Sequence, residues 1–359
     1  MVLDDRDRRL LNVLQSDFPL ARRPFQALGV SLDLTETEVL GRIADLKQQK
    51  VIRQISAIFD TRSLGYKSSL VAMKVQPEML EAAAQVVNGH PGVSHNYKRN
   101  HAFNMWFTVA VPPHSDLEWT VQRLHEMAGA ESTRLLPTLR LFKIGLQLDM
   151  EGKTGGAERE EAPYSDMHRP VAGRDGLRPM DIAVIRELQD DFPLVPEPYR
   201  PMAERIGLSE ERLFDVARSM QSQGYLRRVA AVLHHREAGF RANAMGVWVV
   251  PPERSEEVGK IMGSFKGVSH CYLRPTYPDW PYSIFTMVHG QKAEDCQALI
   301  GAISNAAGIQ EYALLYSTKE YKKIRLKYFN PDLDGWEVHA RQCLASVQAD
   351  PGVAAAARR

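Results

Sequence analysis

Cysteine is scarce in this sequence: Cys271, Cys296 and Cys343 are the only three in 359 residues, and no two of them form a Cys-x-x-Cys pair. That excludes a disulfide framework and a cysteine-held zinc or iron-sulfur centre, and it fits a reducing compartment. An excess of charge is lacking too, with Lys plus Arg at 45 against Asp plus Glu at 44. Such a chain has no bulk cationic field to draw nucleic acid or anionic membrane, so an anionic ligand has to be met by local side chains. No apolar run approaches bilayer-spanning length, and the opening MVLDDRDRRLLNVL carries charge from Asp4 onward instead of a signal-type apolar core. The expectation is a soluble, cytoplasmic protein with no membrane contact, long enough for two or three domains.

What the sequence does have is an internal repeat. LLNVLQSDFPL (Leu10 to Leu20) returns within AVIRELQDDFPL (Ala183 to Leu194), Asp17-Phe18-Pro19-Leu20 matching Asp191-Phe192-Pro193-Leu194, and VIRQISAIFDTRSLGY (Val51 to Tyr66) returns as YLRRVAAVLHHREAGF (Tyr225 to Phe240), both 174 positions on. Gly92-Val93-Ser94-His95 returns as Gly267-Val268-Ser269-His270, 175 positions on. Two copies of one unit are implied. In each, three helical segments are followed by strands and helices in the order βαββαβ. The expected fold is therefore α+β: two tandem repeats, each a helix-turn-helix (winged-helix-like) domain followed by a ferredoxin-like domain. The boundaries read as 1–60 and 61–150 for the first pair, a Gly- and Pro-rich linker at 151–178, 179–234 and 235–330 for the second pair, and a C-terminal tail at 331–359. In this reading TRLLPTLRLFKIGLQL, Thr133 to Leu148, is one final strand of the first copy, and the basic KEYKKIRLKY is a solvated edge strand of the second.

A helix-turn-helix suggests DNA, but its charges argue otherwise. Asp33, Glu36, Glu38 and Asp45 outnumber Arg42, Lys47 and Lys50 in the first recognition segment, and Glu210, Glu211 and Asp215 outnumber Arg212 and Arg218 in the second. Acidic helices forfeit the phosphate contacts that supply most of the affinity for DNA, so DNA is not the expected partner and the helices serve as packing elements.

The chemistry concentrates in SHNYKRNHAFNMWF, Ser94 to Phe107. Residues two apart on a strand share a face, so His95, Tyr97 and Arg99 line one side of the first copy, and His270, Tyr272 and Arg274 line the same side of the second. Arginine offers a planar fork for carboxylates, histidine a proton donor or metal ligand, and tyrosine an apolar plate with a polar tip. The trio suits a flat, polycarboxylated ligand. Beyond it the copies diverge: NHAFNMWFT in the first, PTYPDWPYSIFT in the second. Matching Phe107-Thr108 to Phe285-Thr286 gives the second turn three extra residues, with His101 replaced by an aromatic set that includes Trp280 and Tyr282. Arg53, at the start of a repeated strand, either faces a ligand or faces solvent. His289 is equally compatible with a structural or a functional place, and the pair His234-His235 has no match in the first copy.

These residues carry a resemblance. LGVSLDLTETEVLGRIADLKQQKVIRQISAIFDTRSLGY resembles the leucine-responsive regulator (Lrp/AsnC) family, and the paired motifs GVSHNYKRNHAFNMWFT and GVSHCYLRPTYPDWPYSIFTMVHG are similar to the two subunit types of the siroheme decarboxylases, here fused in one chain in the NirD-NirL manner. The resemblance covers residues 4 to 326. It implies a carboxy-lyase that converts siroheme to 12,18-didecarboxysiroheme, two acetate groups becoming methyls with release of carbon dioxide, in haem d1 or alternative haem synthesis. It implies no cofactor beyond the substrate's own iron, and homologous (NirG/NirH-like) subunits as candidate partners. His95 and His101 become the catalytic candidates, and either one the candidate axial ligand of the substrate iron. Tyr97, Arg99, Asn104, Trp106, His270, Tyr272, Arg274, Trp280, Tyr282 and Arg53 become the substrate-binding candidates. Two non-enzymatic readings stay open at this point: a haem- or siroheme-sensing regulator that binds DNA, and a tetrapyrrole carrier.

Overall fold

The computed structural model describes residues 3–145, 157–160, 165–166, 176–233, 242–290 and 292–349, with side chains to residue 342 in the last helix. Most of the expected linker, the His234-His235 pair, the Cys343 side chain and the extreme tail lie outside the described residues. The first repeat runs α1 (Asp5–Ser16), α2 (Pro24–Leu32), α3 (Glu36–Gln48), β1 (Ile52–Phe59), β2 (Lys67–Lys74), α4 (Leu80–Gly89), β3 (Val93–Arg99), β4 (Met105–Val111), α5 (Leu117–Ala128), β5 (Ser132–Pro137) and β6 (Arg140–Ile144). The second runs α6 (Pro179–Leu188), α7 (Tyr199–Arg205), α8 (Glu210–Ser222), β7 (Leu226–Leu233), β8 (Ala242–Trp248), α9 (Ser255–Gly263), β9 (Val268–Leu273), β10 (Ile284–Gly290), α10 (Ala293–Ala307) and β11 (Tyr312–Lys323), and α11 (Asp332–Ala349) follows. Local chemistry sets these bounds. Thr35 and Glu38 form a capping box at the start of α3, Asp116 caps α5, and α5 and α10 end at Gly129 and Gly308 in the left-handed conformation.

Packing divides the chain into two compact units, each drawing on both repeats: Met1–Leu64 with Thr138–Tyr316, and Gly65–Pro137 with Ser317–Arg359. In the first unit the two helix-turn-helix segments meet through an antiparallel β1–β7 ribbon. The repeated Asp-Phe-Pro-Leu segments explain the pairing. Phe18 N–H donates to the Val229 carbonyl of β7 at 2.7 Å, Phe192 N–H donates to the Ile55 carbonyl of β1 at 2.9 Å, and the two rings meet edge-on at 5.8 Å. Both phenylalanines are buried, so each copy's motif is a peg in the other copy's strand. Basic residues of α3 are engaged by acids, Arg42 by Asp4 and Asp7 at 2.8 and 2.6 Å and Lys47 by Asp191 at 2.7 Å.

The ferredoxin-like sheets follow the expected strand order, β5-β2-β4-β3 in the second unit and β8-β10-β9 after the first half of β11 in the first. Helices cover one face of each. Val71, Met73, Val93, Phe107 and Val109 pack beneath α4 and α5, and Val268, Ile284 and Val288 pack beneath α9 and α10. The single final strand expected at Thr133 to Leu148 is corrected: it breaks after Pro137, which has no N–H to extend the β5–β2 ladder. The chain then continues as β6, which pairs with β9 of the other repeat. Lys319 to Lys323 make the reciprocal move. Instead of remaining a solvated edge, this half of β11 pairs with β3.

A lysine seals each exchange. Lys143 is fully buried, its Nζ 2.8 Å from the Phe265 carbonyl just past α9 and 3.2 Å from Glu160 Oε1. Lys322 Nζ reaches the Asn88 and His90 carbonyls at the end of α4, at 2.6 and 3.1 Å. His90 and Phe265 are themselves equivalent, 175 positions apart. Thus a cation from each repeat neutralises the carbonyl end of a helix in the other.

Candidate active site

Strand β3 turns its alternate residues to opposite sides. Val93 joins the helix-side core and the Asn96 amide donates to Asn88 Oδ1 of α4, so His95, Tyr97 and Arg99 occupy the face away from the helices. A bulge precedes them: Val93 pairs with Val109 but His95 with Thr108, which leaves Ser94 as the extra residue. Gly92 makes that approach feasible, because a Cβ there would fall 2.1 Å from the Ala110 carbonyl oxygen. The bulge brings Ser94 Oγ to 3.0 Å from His95 Nδ1. In the second repeat the bulge recurs at Ser269, whose Oγ lies 2.8 Å from His270 Nδ1.

The two trios match closely. The His95 and Tyr97 rings are 6.1 Å apart at 31°, and those of His270 and Tyr272 are 5.9 Å apart at 32°. The Arg99 guanidinium lies 5.8 Å from the Tyr97 ring centre and that of Arg274 lies 4.7 Å from Tyr272 and 5.4 Å from Phe285. Both arginines are buried, at 5% and 8% exposure. Desolvation pushes each guanidinium down to about 10, with the neighbouring tyrosine pulling the other way, so both remain cations at neutral pH. A planar cation held on an aromatic plate in a dry setting is a strong carboxylate receptor.

The turns differ. His101 Nδ1 accepts the Phe103 N–H at 3.0 Å, and the two rings lie nearly parallel, 14° apart. Partial burial lowers the pKa of His101. With Nδ1 accepting, the neutral ring carries its proton on Nε2, so His101 presents a donor rather than a lone pair for iron. In the second repeat a reverse turn closes between Tyr277 and Trp280, with mutual backbone bonds of 2.8 and 2.9 Å, and the buried Trp280 packs on Tyr282 and Phe285 at 4.9 and 6.0 Å. The strand register corrects the expected insertion. Tyr97 faces Trp106 and Tyr272 faces Phe285, so Phe285 stands 179 positions after its true counterpart while the trios stand 175 apart, and the turn has four extra residues rather than three.

Three of the expected ligand residues hold other places in the fold. Asn104 donates from Nδ2 to the Val75 carbonyl at 2.7 Å and accepts the Val75 N–H on Oδ1 at 3.1 Å, substituting for a strand neighbour at the end of β2. Trp106 is buried, with its indole N–H donating to the Phe103 carbonyl at 2.7 Å, so it braces the His101 turn from behind. Arg53 sits in the β1–β7 ribbon at a register shift, not on the strands that carry either trio. Ser94 and Ser269 are the polar residues that reading by alternation passes over. Their signal was the repeated Gly-Val-Ser-His, and a bulge cannot be seen in a strict two-residue period. His289, left open above, places Nε2 2.8 Å from Ser269 Oγ.

Known proteins agree with this architecture in both repeats. A family model described as the siroheme decarboxylase NirDL-like HTH domain matches residues 7–53 and 181–227, and the AsnC-like ligand binding domain matches 63–143 and 237–322. The chain is 41% identical to a siroheme decarboxylase of Hydrogenobacter thermophilus over 91% of its length and 96% of that protein. A siroheme decarboxylase beta subunit of Methanosarcina barkeri is 46% identical over 40% of this chain and 94% of its own length, a single repeat. The crystal structure of the siroheme decarboxylase NirDL, solved also in co-complex with an iron-uroporphyrin III analogue, superposes with a TM-score of 0.74 and 36% identity, covering 95% of this chain and 100% of that one. Duplicated domains, paired strand-turn motifs and relatives matched from end to end lead to one assignment: this chain belongs to the siroheme decarboxylase family, in its fused two-repeat form.

Proposed function

We propose that the chain converts siroheme to 12,18-didecarboxysiroheme, with each trio a tetrapyrrole-binding surface of its own unit and the His101 turn delivering a proton. The observation that carries this reading is the reproduced pair of buried arginines, each over a tyrosine and beside a histidine, which fits a ring bearing carboxylates on several sides. Losing an acetate carboxyl as carbon dioxide leaves the electron pair of the broken carbon-carbon bond on the methylene carbon. The macrocycle takes up that pair, and one proton then completes the methyl group, so the step is redox-neutral and calls for no cofactor beyond the substrate's own iron.

The donor role falls to His101. Burial and the Phe103 N–H both disfavour its imidazolium, so a proton placed on this ring is readily given up. His95 differs. Its Nδ1 is turned to Ser94, which directs Nε2 to the ligand face and makes it the better candidate for the iron or for a second proton. Within its own unit, each of Arg99 and Arg274 anchors a carboxylate that is retained, with Tyr97 in one unit and Tyr272 and Tyr282 in the other flanking a ring bound there. A DNA-binding role finds no support in α3, where Arg42 and Lys47 face acidic partners. The reading places the enzyme in the cytoplasm, in haem d1 or alternative haem synthesis, with homologous NirG/NirH-like subunits as candidate partners. Anaerobic incubation of the purified chain with siroheme, followed by mass spectrometry of the extracted pigment, tests it. Loss of two carbon dioxide units is expected, and unchanged siroheme in the presence of such partner subunits would overturn it.

A further inference from the structure

One group of polar residues exists in the second repeat alone. Ser269 is buried, yet its Oγ meets three partners: His270 Nδ1 at 2.8 Å, His289 Nε2 at 2.8 Å and the Met287 carbonyl at 3.3 Å. In the first repeat Ser94 meets His95 in the same way, but the residue in register with His289 is Ala110: Ala110 N–H bonds to the Gly92 carbonyl as His289 N–H bonds to that of Gly267. We propose that Ser269 and His289 are positioning residues for His270, fixing its ring plane and the placement of its N–H proton so that Nε2 is the atom offered to the ligand. The inference rests on the functional reading above only for what that ligand is.

The argument is a count of protons. A hydroxyl has one hydrogen to give and two lone pairs to receive. Met287 contributes only an acceptor, so if Ser269 donates there, both imidazoles must donate to Oγ. His270 then carries its proton on Nδ1 and keeps the Nε2 lone pair. If Ser269 donates to His289 instead, His270 is still the donor. Only donation to His270 reverses its tautomer, and His289 must then supply Oγ with its own N–H. Two of the three arrangements therefore fix the same His270 tautomer, and a second acceptor beside Ser269 tips the balance that way. In the first repeat Ala110 of β4 takes the place of His289, so the equivalent serines of the two repeats meet different neighbours. The backbone adds rigidity, because His289 N–H bonds to the Gly267 carbonyl at 3.3 Å, locking the strand that carries His289 to the bulge that carries Ser269.

The test compares the full chain with Ser269→Ala, Ser269→Thr, His289→Ala and His289→Gln. Nitrogen-15 NMR of histidine-labelled, ligand-free protein reads the His270 tautomer directly, and siroheme turnover and binding are measured on the same samples. Loss of the Nδ1–H signature in Ser269→Ala and His289→Ala, its retention in Ser269→Thr and His289→Gln, and a roughly 10-fold weaker siroheme affinity in the two alanine variants are expected. An unchanged His270 signature in well-folded Ser269→Ala would overturn the assignment, as would equal losses in His289→Ala and His289→Gln. Since the NMR arm needs no siroheme, an inactive wild-type chain would count against the functional reading while leaving the tautomer result standing.

Discussion

The two strand-turn motifs are near copies up to Arg99 and Arg274 and unlike beyond them. On the strands the spacing and tilt of the histidine and tyrosine rings are nearly the same. In the turns, one repeat supplies a half-buried histidine whose tautomer is set by a backbone N–H, and the other supplies a closed aromatic turn around Trp280. The difference teaches that the strand-borne trio was kept in duplicate while the turn histidine was not, which on the proposed reading separates recognition from proton chemistry.

The largest contrast expected outside catalysis concerns acid. His90 is buried and its pKa is depressed to about 3, chiefly by desolvation and further by Lys322, against the opposing pull of Glu337; Phe265 holds the same place in the other repeat. The unfolded chain takes up a proton near pH 6.5 that the folded chain refuses until about pH 3, so stability is complete above 6.5 and falls by several kcal/mol as pH drops through that window. His90→Phe should flatten this slope in pH-dependent denaturant unfolding; an unaltered slope would place the acid sensitivity elsewhere. Next come the arginines. Arg99→Ala and Arg274→Ala should each weaken siroheme binding by about 10- to 100-fold, the range for loss of a charge-assisted hydrogen bond, and lysine should restore little of it. If only one substitution matters in a siroheme titration, recognition is not shared. The smallest effect belongs to Asn104→Ala, which should cost about 1–2 kcal/mol in thermal or denaturant unfolding while leaving siroheme affinity unchanged. A selective loss of affinity would return Asn104 to the ligand.

Much of this architecture is legible in the sequence because it is written twice. The helix-turn-helix segments, the βαββαβ order and the His-x-Tyr-x-Arg trios follow from local periodicity and from the offset between copies. What escapes is non-local. Nothing near Pro137 says that the next strand leaves for the other repeat, and the buried partners of Lys143 and Lys322 lie far away in sequence, so a basic strand is read as a solvated edge. Ser269 escapes because a bulge breaks the alternation by which faces are assigned. The turn insertion is miscounted for a related reason: Phe107-Thr108 and Phe285-Thr286 look alike, but hydrogen-bond register sets Trp106, not Phe107, opposite Tyr97.

The central claim is that the proton chemistry resides in the turn found in one repeat only. Anaerobic siroheme turnover by His101→Ala beside the wild-type chain, with pigment masses read after extraction and bound siroheme measured in parallel, tests it most directly. The account predicts that siroheme still binds and that product formation falls by about 100-fold or more. Full conversion to the didecarboxylated pigment by the variant would contradict it.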